Sequence, residues 1–70
     1  MELKVDGRYL VKMGLSGPIT ELTVIEITER AIKVKYESGF THWFLKDGEV
    51  KHWEVIEEIK REIIHYFKFE

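Results

Sequence analysis

A run rich in β-branched residues near the middle of the chain constrains its fold more than any other feature. Residues Ile19–Ile27 are dominated by Ile, Thr and Val, which pack well on a pleated sheet and lose side-chain freedom in a helix. The next apolar segment, Ala31–Tyr36, alternates between apolar residues and lysines, as a strand with one buried face does. The pattern predicts an antiparallel sheet with Ile19–Ile27 as its long second strand.

Three further segments complete the predicted sheet. Arg8–Met13 is a β-compatible stretch, and Phe40–Leu45 follows the turn dipeptide Ser38-Gly39. Asp47-Gly48 is a hairpin signal because such pairs supply the positive φ of tight turns. We therefore expect Val50–Val55 to turn back along the fourth strand as the fifth.

After the strands the apolar period changes from two to between three and four. That spacing is typical of an amphipathic helix and predicts one over about residues 54–68. An alternative interpretation keeps residues 53–59 as a strand and begins the helix near Glu57. The stripe that carries the helix prediction consists of Ile56, Ile59, Ile63 and either Tyr66 or Phe67.

Four short stretches between residues 7 and 43 share β patterns with a known class of small domains. They are Gly-Arg-Tyr-Leu-Val-Lys, Glu-Leu-Thr-Val-Ile-Glu-Ile, Ile-Lys-Val-Lys-Tyr-Glu-Ser-Gly and Thr-His-Trp. They resemble the five-stranded antiparallel barrels of the SH3-like and Tudor-like type, which implies a mainly β barrel over about residues 7–55. Tudor-like domains hold methylated lysine or arginine in an aromatic cage. Tyr36 and Phe40 match cage positions loosely, and the loop Gly14–Pro18 has no aromatic residue.

Length and composition limit the possible functions. A chain of 70 residues has room for one core, so we expect a single domain over residues 1–70. It has no cysteine, which rules out disulfides and thiolate-zinc sites, and its net charge of −2 disfavours bulk DNA binding. No apolar run is long enough to span a bilayer, and the first residues do not resemble a signal peptide. We expect a cytoplasmic protein.

The sequence contains no pattern typical of catalysis or of a cofactor site. Without cysteine, and with both serines in turn-like segments, no nucleophile and base can be paired from spacing. We therefore expect neither an enzyme nor a cofactor. His42 and His52 would lie opposite each other on the predicted hairpin, but His65 is the only other histidine, so no metal site is predicted.

The fourth strand is apolar on both faces. Trp43 is most simply interpreted as core, because a small barrel needs a large ring to fill it. The other face then carries Phe40, His42 and Phe44. This row is either an exposed contact surface for another protein or a surface that the predicted helix covers, and the sequence leaves both alternatives open.

Two other groups of residues are candidate contacts. Lys33 and Lys35 form a small basic strip that could bind single-stranded nucleic acid, although pairing with nearby glutamates is the simpler use. The predicted helix has more apolar surface than one face requires, which favours a homodimer or a partner protein. Its contact residues would be Ile56, Ile59, Ile63, Ile64 and Phe67.

The leading hypothesis for function is therefore a small non-enzymatic protein-binding module or adaptor. It would use the aromatic residues of the fourth strand, with Tyr36 beside them, and the helix. The alternative is a nucleic-acid-associated accessory protein that uses Lys33 and Lys35.

Overall fold

The fold is a single five-stranded antiparallel sheet. The computed structural model of the chain describes residues 2–60. In that part of the chain the sheet has the order β4-β3-β2-β1-β5, and every neighbouring pair is antiparallel. The strands are β1 Arg8–Met13, β2 Ile19–Ile27, β3 Ala31–Tyr36, β4 Thr41–Leu45 and β5 Trp53–Glu58, and the short 3₁₀ turn η1 Val50–His52 precedes β5.

The first four strands confirm the period-two interpretation. β1, β2 and β3 have the predicted bounds, and β4 begins one residue later than predicted. Ile32 and Val34 are buried as expected, while the intervening Lys33 is only half-buried and Lys35 is exposed. Alternation identified β3 because this strand buries one face against the core.

The predicted C-terminal helix is wrong over residues 54–58, which belong to β5. β5 pairs with β1 from Met13↔Trp53 to Tyr9↔Glu58, and Ile59 donates its backbone N–H to the Arg8 carbonyl at 2.8 Å. The alternative interpretation is correct in keeping a strand from Trp53 and wrong in beginning the helix near Glu57, because Glu57 and Glu58 belong to β5. The remaining residues of the predicted helix contact surface, Ile63, Ile64 and Phe67, lie outside the described residues.

The predicted hairpin between β4 and β5 is also wrong. β5 crosses to the far edge of the sheet and pairs with β1, and η1 fills the connection that Asp47-Gly48 was expected to turn. No ladder joins β4 to β5 within residues 2–60, so the described sheet is not closed into a barrel. The two edge strands nevertheless approach each other, because the rings of Phe44 and Trp53 meet edge to face at 5.0 Å.

The core lies on one face of the bent sheet. Two irregularities in register bend it, one in the β2–β3 pair between Val24 and Glu26 and one in the β1–β5 pair between Leu10 and Val11, as expected of β-bulges. Within the described residues, the buried apolar side chains come two from each of the three central strands: Tyr9, Val11, Leu22, Val24, Ile32 and Val34.

In the connection from β3 to β4, a turn of three residues, 37–39, separates Tyr36 from Phe40. The Tyr36 N–H donates to the Phe40 carbonyl at 2.8 Å, and the Gly39 N–H donates to the Tyr36 carbonyl at 2.9 Å. Gly39 has φ +97°, a left-handed conformation that glycine adopts without steric cost. The turn therefore brings Tyr36 and Phe40 opposite each other at the end of the hairpin.

The segment before β1 is held against the core through Tyr9. The backbone N–H of Lys4 donates to the Tyr9 hydroxyl at 2.9 Å, so this buried ring keeps a partner for its polar end. Gly7 lies against the same ring, and a Cβ added there would come within 2.7 Å of Tyr9 Cε2. Such a distance is too short for two carbon atoms, so only glycine fits at this position.

We predict that Gly7→Ala lowers the free energy of unfolding by about 1 to 3 kcal/mol, because the methyl group forces the Tyr9 ring to move in a packed core. Gly48→Ala is the matched control, since its Cβ would meet Leu45 at an ordinary 3.5 Å. This control should stay within about 1 kcal/mol of the parent. Urea denaturation followed by tryptophan fluorescence measures both, and equal midpoints would contradict the packing described for Gly7.

Candidate functional site

Five rings form a continuous aromatic row along the core-facing side of the hairpin and on to β5. Successive ring centroids lie 6.1, 6.4, 4.5 and 5.0 Å apart. Contacts of this kind stabilise aromatic pairs beyond simple burial. We call this set, in order of contact, the aromatic row: Tyr36, Phe40, His42, Phe44 and Trp53.

The face that β4 turns to the core is the opposite of the one predicted. In the β3–β4 register Ile32 lies opposite Phe44 and Val34 opposite His42, so the row shares its face with the buried residues of β3. Trp43 is on the other face and is 43% exposed. The interpretation of Trp43 as core is therefore wrong, and Phe44 packs against the core instead.

Exposure rises from Trp53 and Phe44 to Phe40, whereas Tyr36, beyond Phe40, is half-buried. Phe44 and Trp53 are half-buried, His42 is exposed, and Phe40 is 62% exposed. The structure therefore brings together the predicted residues Phe40, His42 and Phe44, with Phe44 serving the core. The helix proposed to cover them is not present in residues 54–58.

Tyr36 and Phe40 do not form an open cage. Their rings stack nearly parallel, at 13° and 6.1 Å between centroids. A methyl group held between two ring faces needs about 7 Å, because each carbon contact takes about 3.5 Å. Desolvation by burial also raises the pKa of the Tyr36 phenol above its ordinary value, so Tyr36 acts as a neutral ring at neutral pH.

An apolar cleft adjoins the Trp53 end of the row. It has a volume of about 630 Å³, within the range of small-ligand and side-chain pockets. Leu15, at the tip of the β1–β2 loop, is 96% exposed beside it. The loop, the end of β4 and η1 supply its walls, which we call the apolar cleft: Met13, Gly14, Leu15, Phe44, Gly48, Glu49, His52 and Trp53.

The sequence interpretation missed this cleft, although one signal was present. Leu15 lies between Gly14 and Ser16 in a loop that also contains Gly17 and Pro18. A large apolar side chain at such a tip has little backbone around it to cover it, so its exposure could be expected. The contribution of Trp53 could not be expected, because it depends on the crossing of the chain from β4 to the β1 edge.

The basic strip lies on the outer face of the sheet. Lys35 is exposed, and the Lys33 ammonium lies 5.7 Å from the centroid of the Trp43 ring, within the range of a cation–π contact. Glu26 is opposite Lys33 in the β2–β3 register.

A separate, more polar cleft of about 340 Å³ includes the ion pair of Arg8 with Glu21 at 3.2 Å.

His42 and His52 do not lie opposite each other on paired strands. His42 is in β4 and His52 is in η1, and these elements are not two arms of one hairpin, so the expected cross-strand arrangement is wrong. His65 lies outside the described residues. Within residues 2–60 no group of three or more His, Cys, Asp or Glu side chains is placed to hold a metal ion.

Comparisons with known proteins add no assignment: no protein-family model, curated protein or solved structure matches the chain. In the described part of the chain no helix has the length and apolar character needed to cross a membrane. The site must therefore be interpreted from its own geometry.

We predict that alanine at two positions of the aromatic row has different effects on stability. Phe44→Ala removes a ring that packs on the core and on Trp53, and should lower the free energy of unfolding by about 1.5 to 3 kcal/mol. Phe40→Ala removes a mostly exposed ring and should cost less than about 0.5 kcal/mol. Guanidinium denaturation measures both. Similar losses for the two variants would contradict the inward orientation of Phe44.

Proposed function

We propose that the protein is a small protein-binding module that holds an apolar side chain of a partner in the apolar cleft. The aromatic row would act as the adjoining platform for the rest of the partner segment.

We also propose that the fold belongs with the SH3-like or Tudor-like small barrels. Support comes from five short antiparallel strands, from two bulges that bend the sheet, and from the Phe44–Trp53 contact between its edges.

The exposure of Leu15 beside the cleft is the observation that carries the proposal. A leucine that is 96% exposed contributes almost no burial to the stability of the fold. Leu15 nevertheless lines the same concave surface as Met13 and Trp53. A partner side chain that entered the cleft would bury all three together. Aromatic and aliphatic anchors of this kind supply most of the affinity at protein interfaces.

The rim of the cleft supplies polar groups that could fix the orientation of a partner. Glu49 and His52 lie beside the apolar walls, and Glu49 Oε1 already accepts a hydrogen bond from the Leu45 N–H at 3.2 Å. A mostly apolar pocket with a few polar groups at its rim is the usual form of a recognition site.

We predict that Leu15→Ser reduces affinity for a cleft-binding peptide at least about tenfold, the loss of one apolar anchor, and leaves the unfolding midpoint unchanged. Peptides selected from a displayed random library on the immobilised full chain provide the probe, and calorimetry gives the affinities. Val5→Ser is the matched control, because Val5 is 50% exposed and is not among the residues that line the cleft.

Amide chemical shifts on peptide addition identify the surface. Changes centred on Leu15, Phe44 and Trp53 are expected. Changes confined to Lys33, Lys35 and Trp43, or equal affinities for the Leu15 and Val5 variants, would refute the cleft as the site.

The Lys33–Trp43 contact favours one second candidate function, binding of single-stranded nucleic acid on the outer face. An ammonium and a ring that is 43% exposed lie together there, with Lys35 on the same strand. Bases could stack on Trp43 while the lysines neutralise phosphates. Binding of a short oligothymidine that weakens steeply with salt and is lost in Lys35→Glu would support this candidate.

A further inference from the structure

The two outer edges of the sheet are protected to different degrees. An unpaired edge is a template for another strand, and proteins usually guard it with charges, bulges or covering loops. β5 carries Glu54, Glu57 and Glu58, and Ile56 is the extra residue at its bulge. β4 contains no Asp, Glu, Lys or Arg, and its register with β3 is regular throughout. β4 is therefore the less protected edge of the described sheet.

The hydrogen bonds that flank β4 identify which of its backbone groups point outward. The Tyr36 N–H donates to the Phe40 carbonyl, and the Lys46 N–H donates to the Arg30 carbonyl, both at 2.8 Å. Backbone groups alternate in direction along an antiparallel strand. The groups of Phe40, His42, Phe44 and Lys46 therefore face β3, and those of Thr41, Trp43 and Leu45 face the open edge.

Glu49 caps one end of this open edge. Its carboxylate accepts from the Leu45 N–H at 3.2 Å, and its own N–H donates to the Leu45 carbonyl at 3.0 Å. These bonds confirm that Leu45 points outward and occupy its backbone groups. Within the described residues, the N–H and carbonyl groups of Thr41 and Trp43 are left for a further strand.

The side chains around these groups match a strand of the same sequence. Phe40 is 62% exposed and Leu45 is 59% exposed, so both faces of the edge are apolar. A charged partner strand would form few favourable side-chain contacts here. A second β4 would instead place aromatic rings against aromatic rings on one face. It would also bring no Asp, Glu, Lys or Arg side chain into the contact.

This extends beyond the proposed function: we infer that β4 pairs antiparallel with β4 of a second copy of the chain, which joins two sheets into one of ten strands. Only one register uses all the free groups, with Thr41 of each copy opposite Trp43 of the other. His42 then meets His42 of the second copy at the two-fold axis, and Phe40 lies opposite Phe44.

The ends of the contact agree with this register. Beyond Phe44 the edge is occupied by Glu49 on Leu45. Beyond Phe40 the second copy leaves the extended conformation at Gly39, where φ is +97°. The pairing therefore ends at Leu45, which Glu49 caps, and at Gly39, where the chain turns. The contact covers residues 40–44 of each copy.

Single cysteines test the register in the full chain, which has no cysteine of its own. In the proposed dimer His42→Cys places two Cα atoms about 4.5 Å apart, within disulfide range. Phe40→Cys is the matched control, because it is an exposed position in the same row whose copies would lie about 14 Å apart. Mild oxidation should give a covalent dimer for His42→Cys only. Equal cross-linking of both variants, or none of either, would overturn the inference.

Proline at the edge tests whether backbone pairing holds the dimer. The Thr41 N–H points away from β3, so Thr41→Pro removes no bond from the monomer's own sheet, and proline is tolerated on such edges. Thr41→Val keeps the N–H and serves as the control. Sedimentation equilibrium should show dimers for the parent and Thr41→Val, and monomers for Thr41→Pro with an unchanged circular dichroism spectrum. A monomeric parent at high concentration, or a dimeric Thr41→Pro, would refute the pairing.

Discussion

The structure depends on one constraint: a single small sheet must bury an apolar face against itself. Within the described residues, six apolar side chains are buried, two from each of β1, β2 and β3. A flat sheet would leave that face open to water, and burial of apolar area is the main stabilising term in folding. The bulges in the β2–β3 and β1–β5 pairs allow the sheet to bend. The Phe44–Trp53 contact is where its two edge strands meet over the core.

The same constraint explains which parts of the fold could be predicted. β1 to β3 each bury one face, so their apolar residues alternate and their bounds could be located from the sequence. β5 could be predicted only as one of two alternatives, because the extra residue at Ile56 breaks the alternation. Val55 faces the core, and Ile56 and Ile59 then follow at intervals that imitate a helical stripe. Local periodicity cannot distinguish a bulged strand from a short helix when no partner strand is known.

The candidate site was predictable only in part, for a different reason. Phe40, His42 and Phe44 were identified as one row from their spacing, but the face on which they lie was not. β4 is apolar on both sides, so alternation gives no direction, and the size of Trp43 favoured the wrong face. The structure shows why Trp43 is tolerated outside: it lies beside the Lys33 side chain. The cleft depends on the β4-to-β5 crossing, which no local pattern encodes.

Glu49 connects the two surfaces proposed for binding. It lies at the rim of the apolar cleft and also holds both backbone groups of Leu45 at the β4 edge. A ligand that drew the Glu49 side chain into the cleft would release the Leu45 N–H and lengthen the open edge. A ligand that left this side chain in place would keep the edge as short as the Thr41–Trp43 register requires. Because the Glu49 carboxylate borders both surfaces, any ligand that moves this side chain couples occupancy of the cleft to pairing at the edge.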